Sequence, residues 1–363
     1  MGGDMASDTA DSSAARTGDR TSPASDEAPE QPRMQAFRRD RYGPPEVLER
    51  REIDRPVPGP DEVLVEIHAA GVNPADWHLL RGEPYVMRLQ FGLRTPKVVA
   101  SGLDVAGRVE RVGAAVTAFQ PDDDVLGTLD FADTRRGNGA FAEYACVPAD
   151  SLAVSSITLT YEEAASLPIA GLTALQGLRA GGVGAGTSVL INGASGGVGT
   201  IAVQLADSMG ATVTAVCSAR NADLVESLGA DHVVDYTRED FTAQGRQYDC
   251  VVDWVGNRSL SALRRALLPE GTLVLSGGAG GRWIGPLGTF ATAIVLDRVV
   301  KQNLHLLSAD VNSADLETLV EFVDDGTVRP VIDRTYPIEE TPAAVRYVEG
   351  GHASGKVVVT VTE

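Results

Sequence analysis

Between Val189 and Ala206 the chain reads VLINGASGGVGTIAVQLA: an apolar run, a knot of small residues, then apolar residues at helical spacing. A short apolar strand that turns through small residues into a helix brings backbone close to backbone. ASGGVG has the form Ala-x-Gly-x-x-Gly, the phosphate-binding fingerprint with Ala194 at its first glycine. Gly196 is expected to let the backbone approach a pyrophosphate, and Gly199 to let the helix pack on the strand. The free N–H groups of Ser195, Gly197 and Val198 and the positive helix end would hold the anion. The knot therefore predicts a bound dinucleotide.

The surrounding rhythm agrees. From about Tyr161 helical and strand-like segments alternate: YEEAASLPIAGLTALQGLR, SVLING, GTIAVQLADSMG, TVTAVCS, NADLVESLGA, HVVDY, YDCVVDWVG, LSALRRALL, GTLVLSGG. Strands separated by helices imply right-handed crossovers and a parallel sheet covered on both faces. Before this, EVLVEIHAAGV alternates as a half-buried strand does, and SGLDVAGRVERVG and FAEYACVPA add short β pieces among Gly and Pro. After a helix at ADLETLVEFVDDG, the tail RTYPIEETPAAVRYVEGGHASGKVVVTV is too small for a third core and is expected to return to the first domain.

At the end of the strand TVTAVCS an NAD site usually carries an acid for the adenosine ribose. Cys217 and Ser218 stand there instead, followed by Arg220. Ser218 can donate a hydrogen bond and Arg220 a charge-assisted fork to a 2′-phosphate, so NADPH is the expected cofactor.

Composition narrows the partners. The 363 residues carry a formal net charge of −19, which disfavours nucleic acid and anionic lipid. Lys97, Lys301 and Lys356 are its lysines. The acid excess fits either adaptation to high salt or a solubilised surface from a GC-rich genome. Cys146, Cys217 and Cys250 form no Cys-x-x-Cys pair, so neither disulfides nor a cysteine zinc lobe is expected. No run approaches the roughly 20 apolar residues of a membrane span, and no apolar signal core is read at the N-terminus, so a cytoplasmic location is expected. Residues 1–33 hold seven acids, three arginines and no aromatic, a composition expected to stay disordered.

Together RYGPPEVL, AAGVNPADWHLLRG, GLDVAGRVERVG, GAFAEYACVPAD, LPIAGLTAL, NGASGGVG and GHASGKVVV resemble the medium-chain dehydrogenase/reductase superfamily, in its zinc-free quinone oxidoreductase branch. The resemblance runs from Met34 to Glu363. It implies an α/β fold: a Rossmann doubly wound parallel sheet over 159–312 and a GroES-like β-rich catalytic domain over 34–158, completed by 313–363. Where zinc-bearing members have their first cysteine and the GHE histidine, this chain has Asn73 and Leu103, so no metal is expected. The implied activity is NADPH-driven reduction of a quinone or of a C=C bond conjugated to a carbonyl, by a homodimer. Alternatives are an enoyl-thioester reductase and a nucleotide-binding structural or regulatory protein with little turnover.

By the same resemblance Asn73 orients cofactor or substrate, Asp76 anchors its loop, Tyr85 binds a carbonyl oxygen or gives a proton, and His78 is a candidate proton donor. Thr173 lies close to the nicotinamide carboxamide and Tyr236 near the adenosine phosphate. Gly277 and Gly278 end a strand that the nicotinamide approaches. PDDDV stands where relatives carry a PGDRV-like turn, which leaves the geometry of that turn open.

Overall fold

The computed structural model describes residues 32–130, 134, 137–276, 283, 285 and 287–362. The chain divides into two units, Met1–Pro32 and Arg33–Glu363, and the strands and helices of the described residues belong to the second. The disorder expected of residues 1–33 falls, for all but its last two residues, outside the described part. Gly277 and Gly278 lie outside it as well.

Among the described residues seven strands precede the glycine knot: β1 (Arg33–Arg38), β2 (Glu49–Asp54), β3 (Glu62–Val72), β4 (Asp104–Val112), β5 (Asp124–Thr128), β6 (Tyr144–Pro148) and β7 (Leu152–Val154). β1 and β2 form an antiparallel ribbon. β3 is the spine of the larger sheet, pairing antiparallel with β4 and with β6. Its alternation predicts one wet face, yet Ala69–Val72 are buried on both. The helix Tyr161–Ala165 lies against this end, and a Cβ on Gly71 would come within 2.4 Å of the Ala165 carbonyl oxygen.

The second half carries β8 (Ser188–Asn192), β9 (Thr212–Cys217), β10 (His232–Asp235), β11 (Tyr248–Asp253), β12 (Leu267–Leu275) and β13 (Asn303–Leu306). They form one sheet in the order β10-β9-β8-β11-β12-β13, and every pair is parallel. The order reverses between β8 and β11, so the crevice beyond their carboxyl ends is where such a sheet takes ligands. β8 and β11 are almost wholly buried, as strands covered by helices on both faces must be. The helix Gly197–Ser208 leads from β8 to β9, and Pro168–Ala180 packs beside it.

The tail is shared between the halves. Leu316 and Leu319 of the helix Ser313–Asp324 enter the core of the second half, Leu319 closing on Gly171. β14 (Ile332–Pro337) and β15 (Lys356–Thr360) then join the first sheet, β15 running antiparallel to β3. A tail returning to the first domain is what its sequence implies; the packing of its first helix on the second half is an addition.

In PDDDV, Asp122 adopts φ +74°, the one non-glycine residue with positive φ among those described. The turn thus keeps the glycine-like backbone although an aspartate occupies it, at a cost that Asp bears better than most residues. Asp122→Val should lower stability by about 1–2 kcal/mol, whereas Asp122→Gly should be tolerated. Urea unfolding midpoints of the two variants check this.

Candidate active site

The three glycines of the knot meet three different neighbours. A Cβ on Gly199 would lie 2.1 Å from the Gly193 carbonyl oxygen and 2.6 Å from the Ala194 backbone, so this glycine seats the helix on the strand. A Cβ on Gly196 would meet nothing nearer than 3.4 Å, so its side stays open to a ligand. A Cβ on Gly197 would lie 2.7 Å from Cδ of Lys356, so here the room is taken by a lysine stem from β15. Gly196 caps the helix in extended conformation, and the first N–H groups, those of Gly197, Val198 and Gly199, have no intrahelical acceptor. Ala194 is fully buried and donates its N–H to Val216, while Val198 is partly buried. An open glycine, unspent amides and a positive helix end fit a pyrophosphate.

At the ends of β9 and β10 the structure brings Ser218, Arg220 and Tyr236 together. The Tyr236 N–H donates to the Cys217 carbonyl, and Ser218 opens the turn that carries Arg220. Arg220 donates from Nη2 to the His352 carbonyl at 2.5 Å, so the C-terminal loop supports its guanidinium. Asn221, which sequence reasoning did not single out, donates to Ser195 Oγ at 2.9 Å and accepts from Ser354 Oγ at 2.9 Å. Asn192 and Asp253 were missed too. They tie the ends of β8 and β11 across the crevice at 2.8 Å, and Asp253 also takes the N–H groups of Val255 and Gly256. These polar residues at strand ends were visible in LING and VVDW, but not their pairing.

Asn73 precedes the helix Pro74–Arg81, and the Asp76 carboxylate accepts its N–H at 2.7 Å. Both ends of its side-chain amide meet a charged group. Oδ1 accepts from Lys356 Nζ at 2.7 Å, and Nδ2 donates to Asp104 Oδ2 at 2.9 Å. Lys356 Nζ also reaches Asp104 Oδ2 at 3.1 Å, with the two side chains 6% and 0% exposed. The second Asp104 oxygen accepts the N–H of Ile169 in the first turn of the helix Pro168–Ala180. Thr173, one turn on, is buried and donates its hydroxyl to the Ile169 carbonyl.

Tyr85 and His78 belong to the next segment. The Tyr85 ring meets Trp283 edge-on at 5.2 Å, the guanidinium of Arg88 lies 4.5 Å from it, and Trp283 accepts the Val86 N–H through its carbonyl. The clamp thus joins the first region to the loop after β12, and Trp283 was not anticipated. His78 stacks on Trp77 and has Nδ1 2.9 Å from the Glu83 carbonyl. Burial lowers its pKa. The ring is therefore neutral near pH 7, with its one N–H at Nδ1 donated to the Glu83 carbonyl oxygen.

The model of an alcohol dehydrogenase GroES-like domain matches residues 59–156, and that of a zinc-binding dehydrogenase matches residues 228–359. A chloroplast envelope quinone oxidoreductase homolog of Arabidopsis thaliana is 34% identical over 325 residues, covering 86% of this chain and 93% of its own. Among solved structures, the quinone oxidoreductase of Coxiella burnetii superposes with a TM-score of 0.80 at 31% identity, over 91% of this chain and 100% of that one. A mycobacterial protein complexed with NADPH gives 0.75 at 29% identity, over 90% and 100%. The second domain model carries zinc in its description, and the residues here do not fit that metal. An ammonium sits on Asn73, Leu103 is buried carbon, and no three His, Cys, Asp or Glu side chains converge among the described residues.

Asp76 offers a test of this geometry. Burial, with Asp104 adding to it and Lys356 opposing, pushes its pKa up to about 7. Between pH 4 and 7 the folded chain therefore holds a proton that the unfolded chain has released. Its contribution to stability is complete at the acid end and declines as pH rises to 7, by at most about 1.4 kcal/mol per pH unit. Asp76→Asn should remove that decline, so denaturation midpoints of parent and variant should differ in slope over this window and run parallel above it.

Proposed function

The chain belongs to the medium-chain dehydrogenase/reductase superfamily, in its zinc-free quinone oxidoreductase-like branch, and on that premise we propose that it reduces a quinone, or a C=C bond conjugated to a carbonyl, with NADPH. It is an oxidoreductase of a nicotinamide cofactor acting on a small molecule. The observation that carries the finer reading is the open Gly196 flank beside the unspent helix amides, at the one point where the sheet order reverses. Gly196, Gly197, Val198 and Ser195 would hold the pyrophosphate, and Ser218 with Arg220 the 2′-phosphate. Tyr236 would flank the adenosine and Thr173 the carboxamide.

When bound, the nicotinamide supplies the hydride. The protein's share is to align the acceptor, exclude water and stabilise charge on the acceptor oxygen. Asn73 and Tyr85 are the proposed contacts to that oxygen. His78, neutral and hydrogen-bonded to Glu83, is proposed to shape the segment that carries Tyr85. The two alternatives, an enoyl-thioester reductase and a binding protein with little turnover, are separated by one assay. Consumption of NADPH absorbance with quinones and enones supports the proposal, whereas tight binding without turnover across both sets supports the last.

A homodimer is proposed, β13 leaving one sheet edge without a partner among the described residues. No helix there is long and apolar enough to cross a membrane. Three buried free thiols support a reducing compartment, and the cytoplasm is the proposed location.

Cofactor choice is checked at Arg220. Arg220→Ala should reduce the ratio of kcat/KM with NADPH to that with NADH by about 10- to 100-fold, the loss of one charge-assisted contact. A parent that prefers NADH, or a ratio that does not move, sinks the assignment.

A further inference from the structure

Lys356 is buried, whereas the chain's other two lysines, Lys97 and Lys301, are exposed. Its stem crosses Gly197 in the first turn of the phosphate-facing helix, and its ammonium ends between Asn73 and Asp104. The three groups close a triangle: Nζ to Asn73 Oδ1 at 2.7 Å, Nζ to Asp104 Oδ2 at 3.1 Å, and Asn73 Nδ2 to the same carboxylate oxygen at 2.9 Å. A carboxamide can be reversed by rotation about its last bond, and in most settings the two orientations compete. Here reversal would face the NH₂ group with an ammonium and the carbonyl with a carboxylate, both in a site removed from water. The charge pair therefore admits one orientation.

An amide nitrogen carries two N–H groups, and one of Asn73's is spent on Asp104. Resting on the reductase reading, we infer that Lys356 is a positioning residue that fixes the Asn73 amide so that its second N–H is given to the carbonyl oxygen of the acceptor. That oxygen gains negative charge as hydride arrives at the ring or alkene carbon conjugated to it, and an oriented donor stabilises it more than the neutral carbonyl. The lysine itself is not catalytic: its ammonium faces Asn73 and Asp104. Its stem also places the phosphate-facing helix and the amide on one side chain, so the two ends of the cleft share a reference point.

The experiment separates orientation from mere support. Lys356→Met keeps the stem and removes the charge, leaving Asp104 buried without its cation, and should lower the unfolding midpoint. The double variant Lys356→Met/Asp104→Asn removes both charges and should bring the midpoint back. With orientation as the function, the double variant binds NADPH like the parent, but its kcat with a quinone stays down by at least about tenfold, the scale of one lost oxyanion donor. Recovery of kcat along with the midpoint makes the pair a structural one and overturns the inference.

If the double variant does not fold, the side-chain amide of Asn73 is read by NMR in the parent, assigned by its loss in Asn73→Ala. Adding hydroquinone in the presence of NADP⁺ should shift one of the two amide protons and leave the other, held by Asp104, in place. Equal shifts of both, or of neither, overturn it. A parent that turns over no quinone or enone defeats the reductase reading itself, an outcome distinct from either of these.

Discussion

The ion pair between Lys356 and Asp104 is the constraint from which the arrangement of the two halves follows. Withdrawing two charges from water is costly, and the cost is met only if each is held by the other and by further hydrogen bonds. Those bonds come from separate parts of the chain. Asp104 begins β4, Asn73 heads the helix Pro74–Arg81, Ile169 lies in the first turn of Pro168–Ala180, and Lys356 begins β15. No one of them can shift alone without leaving a buried charge unsatisfied. A polar cluster of this kind specifies a single mutual placement where an apolar contact would tolerate sliding.

The same return of the tail serves the other end of the cleft. The loop GHASG ahead of β15 supplies the His352 carbonyl to Arg220 and Ser354 to Asn221, and Asn221 in turn holds Ser195 of the knot. An anionic cofactor approaching a chain with net charge −19 meets an unfavourable overall field. At the knot the positive helix end and Arg220, which donates to a neutral carbonyl in place of a carboxylate, work against that average. An anion held there would be selected by a few oriented groups against the average charge.

How much of this was legible in the sequence divides along contact range. The parallel sheet, its helices and the knot are local patterns, and the structure has them where SVLINGASGGVG and its neighbours placed them. The reading of Gly199 as a packing glycine and Gly196 as an open one also needs only near neighbours. Gly197 shows the limit. Its small size admits Lys356, some 160 residues later in the chain, and nothing in the local sequence names that partner. Asn221 between Ser195 and Ser354, Asn192 on Asp253, and Trp283 against Tyr85 were hidden for the same reason. His78 differs in kind: its type suggested proton transfer, while its burial and the Glu83 carbonyl at Nδ1 were not legible in the sequence. Asp122 shows that a turn can outlive the residue that usually makes it.

The three cysteines bear on the chemistry in another way. Cys146, Cys217 and Cys250 are buried in strands, and burial pushes their thiols up to about 12, 11 and 12. Thiolate is the form that adds to electrophiles, and none of these sulfurs is both ionised and reachable at neutral pH. Quinones and conjugated enones are themselves alkylating agents. With its three cysteines sheltered in strands, the chain offers such compounds no ionised, reachable thiol to arylate, which is the protection the proposed substrates would demand of a catalyst.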